Sequence, residues 1–131
     1  SIYPRVRSVH NMSPLILQKE GKLWATIGSS GGRRIATGLA QSLINVIDFE
    51  KSLQEGIQAP RIHVETDDVL IDGRLGDNTR IALESMGHTV SVATPDYVSA
   101  QFSTPNGIRK TDAGFVSGIY PVNKQGTAAG I

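Results

Sequence analysis

Apolar and polar positions along the chain predict a hairpin followed by a long helix. Short apolar runs at 15–17 and 23–27 flank the polar segment 19–22, which is the pattern of two strands joined by a turn. From Ile35 to Ile47 apolar residues recur every three or four positions, the period of an amphipathic helix. Residues 1–11 are polar and irregular, and we expect them to form an arm outside the core.

The rest of the chain continues as a mixture of helices and strands. The predicted elements are helices at 50–58 and 77–86, strands at 69–71, 89–93, 102–103 and 107–110, and an edge strand at 126–131. This order favours an α+β fold, with helices packed on a sheet, over a doubly wound parallel sheet. The length of 131 residues predicts a single domain, 1–131.

Single residues set several of these boundaries. Proline disfavours helical geometry in the residue before it, so Ala59-Pro60 is expected to end the second helix. Asp77 is predicted to cap the third helix, and Gly87 is predicted to end it. The sequence Thr104-Pro105-Asn106-Gly107 predicts the turn of another hairpin.

Composition excludes several classes of function. A formal net charge of +1 gives no electrostatic reason to expect nucleic acid as a partner, and no apolar run is long enough to span a membrane. The chain has no cysteine, which excludes disulfides, thiolate zinc sites and a cysteine nucleophile. No cofactor or metal site is predicted, and the compartment is left open.

The segment from Gly28 to Arg34 carries the strongest chemical signal. It joins a predicted strand to a predicted helix, where backbone N–H groups lack helical partners and face outward. Such a turn binds a phosphate, a carboxylate or the oxyanion of an acyl-transfer intermediate. The alternative is a tight connection in which the glycines only permit close packing. Local sequence leaves both interpretations open.

Other sites are less well supported by the same residues. The segment lacks the Gly-Lys-Ser/Thr ending of a nucleotide-binding P-loop. Ser29 or Ser30 would serve as a nucleophile only with a histidine folded close to it. The three histidines are spread along the chain, which does not indicate a metal site.

Six short motifs occur in order between about Arg7 and Ile131. They are Met12-Ser13-Pro14; Gly28-Ser29-Ser30-Gly31-Gly32 with Arg34-Ile35; Asn45-Val46-Ile47-Asp48; Ala59-Pro60-Arg61 with His63; Glu84-x-x-Gly87-His88; and Gly126-x-Ala128-Ala129-Gly130. Each motif alone is weak, but their order and spacing together are specific. The chain thereby resembles the C-terminal part of the small subunit of the γ-glutamyltranspeptidase family.

This resemblance implies an N-terminal-nucleophile hydrolase, built as an α-β-β-α sandwich of which this chain would carry part of the layers. Members transfer a γ-glutamyl group from glutathione-like donors to water or amino acids, through a threonine exposed when a precursor cleaves itself. Gly31 and Gly32 would supply the oxyanion hole. The implied partners are the large subunit, the upstream segment that bears the threonine, and a glutathione-like small molecule.

Two departures from the family pattern matter. The nucleophilic threonine lies upstream of the matched region, so we expect this chain alone to be inactive. In the family a Ser-Ser pair helps hold the donor's α-carboxylate. Here His10 and Asn11 replace that pair, and this leaves the identity of the acyl donor open. The alternative function is a non-catalytic domain that keeps the fold and self-associates or binds anions. In isolation the chain is expected to form homo-oligomers through apolar surface around Leu15, Ile16 and Leu23.

Overall fold

The structure, a computed structural model, describes residues 3–94 and 101–121, which form two sheets and three α-helices. The elements are β1 (Leu15–Lys19), β2 (Lys22–Ser30), α1 (Ile35–Ile47), α2 (Leu53–Gln58), β3 (Ile62–Glu65), β4 (Asp68–Asp72), α3 (Gly76–Ser85), β5 (Thr89–Ala93), β6 (Thr104–Thr111) and β7 (Gly114–Ile119). The predicted α+β class is confirmed. The predicted strand at 126–131 lies outside the described residues.

The larger sheet is antiparallel, with the strand order β1-β2-β6-β7. The smaller sheet has the order β3-β4-β5, in which β4 and β5 are parallel and α3 forms the crossover between them. Because β1 runs antiparallel to β2, Leu15 pairs with Ile27 and the start of β1 lies beside the end of β2. The arm 3–14 therefore enters the sheet at the end where β2 leads into the glycine turn.

The core lies between the larger sheet and the helices α1 and α2. Ile27 from β2, Leu39 and Val46 from α1, and Ile57 from α2 are all buried. The other face of the sheet carries apolar side chains in the open, with Ile16 exposed by 74%. Helix α1 also contacts β3, so it connects the two sheets.

Two predicted helix starts are wrong by a few residues. Helix α2 begins at Leu53 because Ser52 caps it, with Ser52 and Glu55 forming a reciprocal capping box. Helix α3 begins at Gly76, and Asp77 lies in its first turn instead of capping it. The capping carboxylate is that of Asp72, which accepts the Arg74 N–H at 3.0 Å and starts the 3-10 turn before α3.

The predicted turn at Thr104–Gly107 is also wrong, because these residues begin β6. Asn106 pairs with Gly28 of β2 and with Ile119 of β7. A Cβ on Gly107 would lie 2.7 Å from the Thr26 carbonyl oxygen, so this glycine allows two strands to approach each other closely. The hairpin turn lies further on, between Thr111 and Gly114. The predicted C-terminal glycine of α3 is confirmed, since the Gly87 N–H donates to the Glu84 carbonyl at 2.9 Å.

Candidate active site at the glycine turn

The Gly31-Gly32 turn joins the end of β2, an inner strand of the larger sheet, to α1. Strand β2 ends at Ser30, and a 3-10 turn from Gly32 to Arg34 runs directly into the helix. Both glycines have positive φ angles, 137° for Gly31 and 59° for Gly32. Residues with a Cβ rarely adopt these conformations, so the backbone path itself requires glycine here.

The two glycines differ in their surroundings. A Cβ on Gly31 would lie 2.6 Å from the Ser103 Cβ and 2.7 Å from the Ser103 Cα, so Ser103 packs directly against this backbone. A Cβ on Gly32 would have no heavy atom within 4 Å among the described residues. Gly31 is therefore supported from behind, whereas the space above Gly32 is open.

The backbone N–H groups of Gly31 and Gly32 have no hydrogen-bond acceptor among the residues that the structure describes. In the turn and loop hydrogen bonds between described residues, the Gly31 carbonyl accepts the Arg34 N–H at 3.2 Å, while the Gly31 and Gly32 N–H groups donate to none. Both groups lie at the positive end of the helix dipole of α1. The turn is thus chemically suited to bind an oxyanion or another small anion.

Ser103 is held in place by the buried side chain of Arg61. The guanidinium donates to the carbonyls of Ile57, Phe102 and Ser103, at 2.6, 3.2 and 3.2 Å respectively. It also stacks over the ring of Tyr120, with 4.5 Å between Cζ and the ring centroid. Arg61 therefore fixes the segment that supports Gly31.

Electrostatics at Arg61 reflect its burial. Removal from water lowers the pKa of Arg61 from its ordinary value, and the neighbouring Tyr120 acts in the opposite direction. Burial likewise raises the pKa of the Tyr120 hydroxyl, which Arg61 partly offsets. Arginine stays protonated in proteins, so the three carbonyls face a cation.

On the other side of the turn, four side chains form a continuous polar chain. The Arg33 Nε lies 2.7 Å from Glu65 Oε1, and Glu65 Oε2 lies 3.4 Å from His63 Nε2. The His63 Nδ1 lies 3.0 Å from the Thr37 hydroxyl, which also donates to the Arg34 carbonyl at 3.2 Å. This series of contacts begins at Arg33 and ends at Arg34, both in the 3-10 turn, and it passes through β3 and α1.

A second contact between α1 and β3 is made by the amide side chain of Gln41. The Gln41 carboxamide accepts the Ile62 N–H at 2.9 Å and donates to the Ile62 carbonyl at 2.7 Å. A side chain that satisfies both backbone groups of one residue acts as an extra strand partner at the start of β3. It fixes the position of β3 along α1, and so places His63 beside Thr37.

His10 and Asn11 lie in the exposed arm before β1. His10 is hydrogen-bonded to the Ser8 hydroxyl, and the Asn11 carbonyl accepts the Ser13 hydroxyl at 3.3 Å. No hydrogen bond between described residues joins either of them to Gly31 or Gly32. Topology alone brings the arm to the same end of the sheet, so their predicted place beside a donor carboxylate stays a prediction.

An open cleft of about 420 Å³ lies elsewhere in the molecule. It is lined by Trp24 and Arg109 from the sheet and by Ile47 and Glu50 at the far end of α1. The 13 residues of α1 span about 20 Å at 1.5 Å per residue, and they separate this cleft from the turn. The cleft and the glycine turn are therefore separate features.

Metal and membrane sites have no support within the described ranges. Residues 3–94 and 101–121 contain no group of three or more histidine and acidic side chains placed to hold a metal ion. The helices of the same ranges include none that is long and apolar enough to cross a membrane.

Three residues around the turn, Thr37, Glu65 and Ser103, were not predicted from the sequence. Arg61 and His63 were identified only as parts of a motif, without a role. An arginine that directly follows Ala-Pro, between a helix and a short strand, is the signal that the sequence offers for a buried, hydrogen-bonded cation. Ser103 offers no comparable signal, because its contact with Gly31 is formed only by the fold.

The chain is similar to known proteins over most of its length. Residues 1–131 match the family model described as gamma-glutamyltranspeptidase. The glutathione hydrolase proenzyme of Escherichia coli is 34% identical over 94 residues, which cover 70% of this chain and 16% of that protein. The acylase ACY 1 proenzyme of a Pseudomonas species is 34% identical over 90 residues, which cover 69% of this chain and 16% of that protein. The chain spans about a sixth of the length of these relatives.

A solved structure shares the fold. The gamma-glutamyltranspeptidase from Pseudomonas nitroreducens complexed with L-DON has a TM-score of 0.80 and 26% sequence identity, and the match covers 100% of this chain and 66% of that chain. This likeness confirms the predicted fold class, an α+β sandwich of the N-terminal-nucleophile type of which this chain carries part of the layers. The match of the whole chain to the family model, together with this fold, shows that the chain belongs to the gamma-glutamyltranspeptidase family.

Proposed function

We propose that this chain is the C-terminal part of the small subunit of an enzyme that transfers or hydrolyses γ-glutamyl groups. The donor would be a glutathione-like amide, and the acceptor water or an amino acid. The nucleophile would be a threonine on an upstream segment of the same precursor, and the large subunit would be the other partner. This chain would contribute the oxyanion hole through Gly31 and Gly32.

In this mechanism the threonine hydroxyl attacks the acyl carbonyl, and the threonine's own amino group takes the hydroxyl proton. The carbonyl oxygen becomes an oxyanion, which the Gly31 and Gly32 N–H groups bind. The acyl–nitrogen bond then breaks, and the leaving amine takes the proton. Water or the amine of an acceptor next attacks the acyl-enzyme, and the threonine is released.

The observation that carries this proposal is a glycine pair that packs against a buried segment and whose two amides donate to no other described residue. Gly31 packs against Ser103, and Arg61 fixes Ser103 in turn. Donors that are already oriented cost no reorganisation when charge develops, and one such donor contributes about 3–4 kcal/mol to catalysis. The open space above Gly32 leaves room for a substrate at the same point.

The His10 and Asn11 side chains are proposed to hold the donor's α-carboxylate. Both side chains donate hydrogen bonds, and the arm that bears them enters the sheet beside the end of β2. A protonated His10 would add a positive charge. The arm is exposed over both residues, so a substrate can reach them.

The test is turnover of a chromogenic γ-glutamyl anilide by the complete processed enzyme. Gly32→Ala is expected to lower kcat by about tenfold or more, because the altered turn aims its amides away from the oxyanion. Gly21→Ala is the matched control, since Gly21 in the turn between β1 and β2 has a similar φ of 74° and equally open surroundings. If both variants keep the wild-type kcat, the oxyanion assignment is wrong. If the wild-type enzyme itself shows no turnover, a non-catalytic domain that keeps the fold is the better function.

A second candidate is an acylase that acts on a different acyl group. It is favoured by the likeness to the acylase ACY 1 proenzyme and by His10 and Asn11 in place of the family's serine pair. The discriminating measurement compares the γ-glutamyl anilide with an acyl anilide that lacks the α-carboxylate. A higher kcat/KM for the second compound would favour the acylase, and the reverse would favour γ-glutamyl transfer.

A further inference from the structure

Arg33 is the first side chain after the glycine pair, and it is bound to a neighbouring strand. Its Nε lies 2.7 Å from Glu65 Oε1 at the end of β3. The Arg33 side chain is 76% exposed and that of Glu65 is 31% exposed. The pair therefore lies at the surface, and it connects the 3-10 turn to the smaller sheet.

Glu65 is itself held by a buried partner. Its second oxygen, Oε2, lies 3.4 Å from Nε2 of His63, a residue that is only 6% exposed. A carboxylate accepts and does not donate, so the hydrogen is on the histidine nitrogen. The His63 Nδ1 lies 3.0 Å from the Thr37 Oγ1, whose single hydrogen is shared between that nitrogen and the Arg34 carbonyl oxygen, 3.2 Å away. The contacts close a ring that starts and ends in the turn.

Charge gives Arg33 a second reason to stay beside Glu65. Glu65 and Asp68 are directly opposite each other in the antiparallel pairing of β3 and β4. Two carboxylates in such a pair repel each other. The Arg33 guanidinium offsets this repulsion, so removal of either partner disturbs both the turn and the end of the hairpin.

We propose that Glu65 is a positioning residue, which fixes the direction of the Gly31 and Gly32 amides through its ion pair with Arg33. The inference rests on the proposed function for its catalytic consequence, but not for its structural one. Ser103 supports the turn at Gly31, and the Arg33–Glu65 pair fixes it two residues later. The amides lie next to the pair and take their orientation from both attachments.

The test is a double-mutant cycle in the complete enzyme with Arg33→Ala, Glu65→Ala and the combined variant. Each single variant is expected to speed hydrogen–deuterium exchange of the 31–34 amides and to lower kcat by about two- to fivefold, the size expected for a surface ion pair. KM is expected to stay constant, because the pair acts on the oxyanion amides. The combined variant should be no worse than either single variant, since the two side chains act as one unit.

Arg80 and Glu84 provide the matched control cycle. They form an ion pair at 2.8 Å on α3, in which both side chains are partly exposed, by 34 and 42%. Their alanine variants should leave both the exchange at 31–34 and kcat unchanged. Additive effects of Arg33→Ala and Glu65→Ala, or no effect, would overturn the inference. Faster exchange at 31–34 in an enzyme without turnover would support the positioning role while refuting the proposed function.

Discussion

Gly31 and Ser103 pack directly against each other, although Gly31 follows β2 and Ser103 comes just before β6 in the chain. The Ser103 Cα and Cβ would both be within 2.7 Å of a Cβ on Gly31. Ser103 is fully buried and has a φ of 62°, so it too adopts a conformation that favours glycine. The catalytic geometry proposed for the turn therefore depends on a second strained residue that reaches it from the start of β6.

This contact predicts the effect of adding one methyl group. Gly31→Ala should lower the free energy of unfolding by about 1–3 kcal/mol, because the new Cβ overlaps Ser103. Adding Ser103→Gly should restore part of that loss, since it removes the nearer Cβ and relieves the positive φ. Thermal denaturation of the single and double variants measures the difference. Equal stability of the two variants would show that Ser103 is not what excludes a side chain at position 31.

Arg61 is expected to be important to both stability and activity. Arg61→Met fills a similar volume but leaves the carbonyls of Ile57, Phe102 and Ser103 without their donor. Each buried polar group left unpaired costs about 1–3 kcal/mol. The decrease in the free energy of unfolding should therefore be among the largest for a single change in this chain. An Arg61→Met variant with wild-type stability would contradict this reading of the buried guanidinium.

Gln41 and Gln54 form a natural pair for comparison. Gln41 bonds both backbone groups of Ile62, and Gln54 bonds both backbone groups of Ile119 at 2.8 and 2.9 Å. Replacing either by leucine should cost about 1–3 kcal/mol of stability. Only Gln41→Leu should also lower kcat, because only Gln41 holds β3 and thereby His63. Equal kcat in the two variants would separate β3 from the site.

The capping box of α2 predicts a pH-dependent contribution to stability. Hydrogen bonds from the Ser52 side chain and backbone lower the pKa of Glu55 below its ordinary value. A carboxyl whose pKa is lower in the folded state stabilises the fold above its unfolded pKa, and that stability is lost as the pH falls through the folded value. Stability measured across the acidic range should therefore depend less on pH in Ser52→Ala than in the wild type. Identical pH profiles would exclude the coupling.

The exposed face of the larger sheet predicts self-association of the chain when it is produced alone. Ile16, Ile108 and Phe115 lie on the face opposite the helices and are exposed by 74, 49 and 71%. Large apolar side chains gathered on one exposed sheet face favour association with another surface. The paired change Ile108→Thr and Phe115→Ser should shift sedimentation toward the monomer, whereas Ile81→Thr on α3 should not. A monomeric wild-type chain would contradict the prediction.

Elements whose apolar residues repeat with a clear period were predictable from the sequence. Elements whose conformation depends on packing against distant residues were not. Helix α1 was predicted at its observed bounds because its apolar residues repeat over 13 positions. Pro105-Asn106-Gly107 misled the prediction, since these residues usually mark turns but here serve close strand packing. Strand β3 was missed because it has only four residues, two of which are polar.

The site divides in the same way. Gly31 and Gly32 could be named as candidates because they lie in a glycine turn between a strand and a helix, and the family resemblance supplied their oxyanion role, which stays a prediction. Their supports, Ser103 and Glu65, were not identifiable, because each contacts the turn only through tertiary structure. A local pattern reports what a backbone can do, whereas the rigidity of that backbone depends on residues far away in the sequence.

The contact between Gly31 and Ser103 also sets an order on biosynthesis. A ribosome makes the chain from its amino end, so the turn at Gly31 emerges long before Ser103 does. During that interval Ser103 and its hydrogen bond to Arg61 are absent, so the turn lacks the residue against which Gly31 packs. The turn consequently reaches its final shape only when β6 docks, and any chemistry that depends on it is withheld from the nascent chain until nearly all of this region has been made.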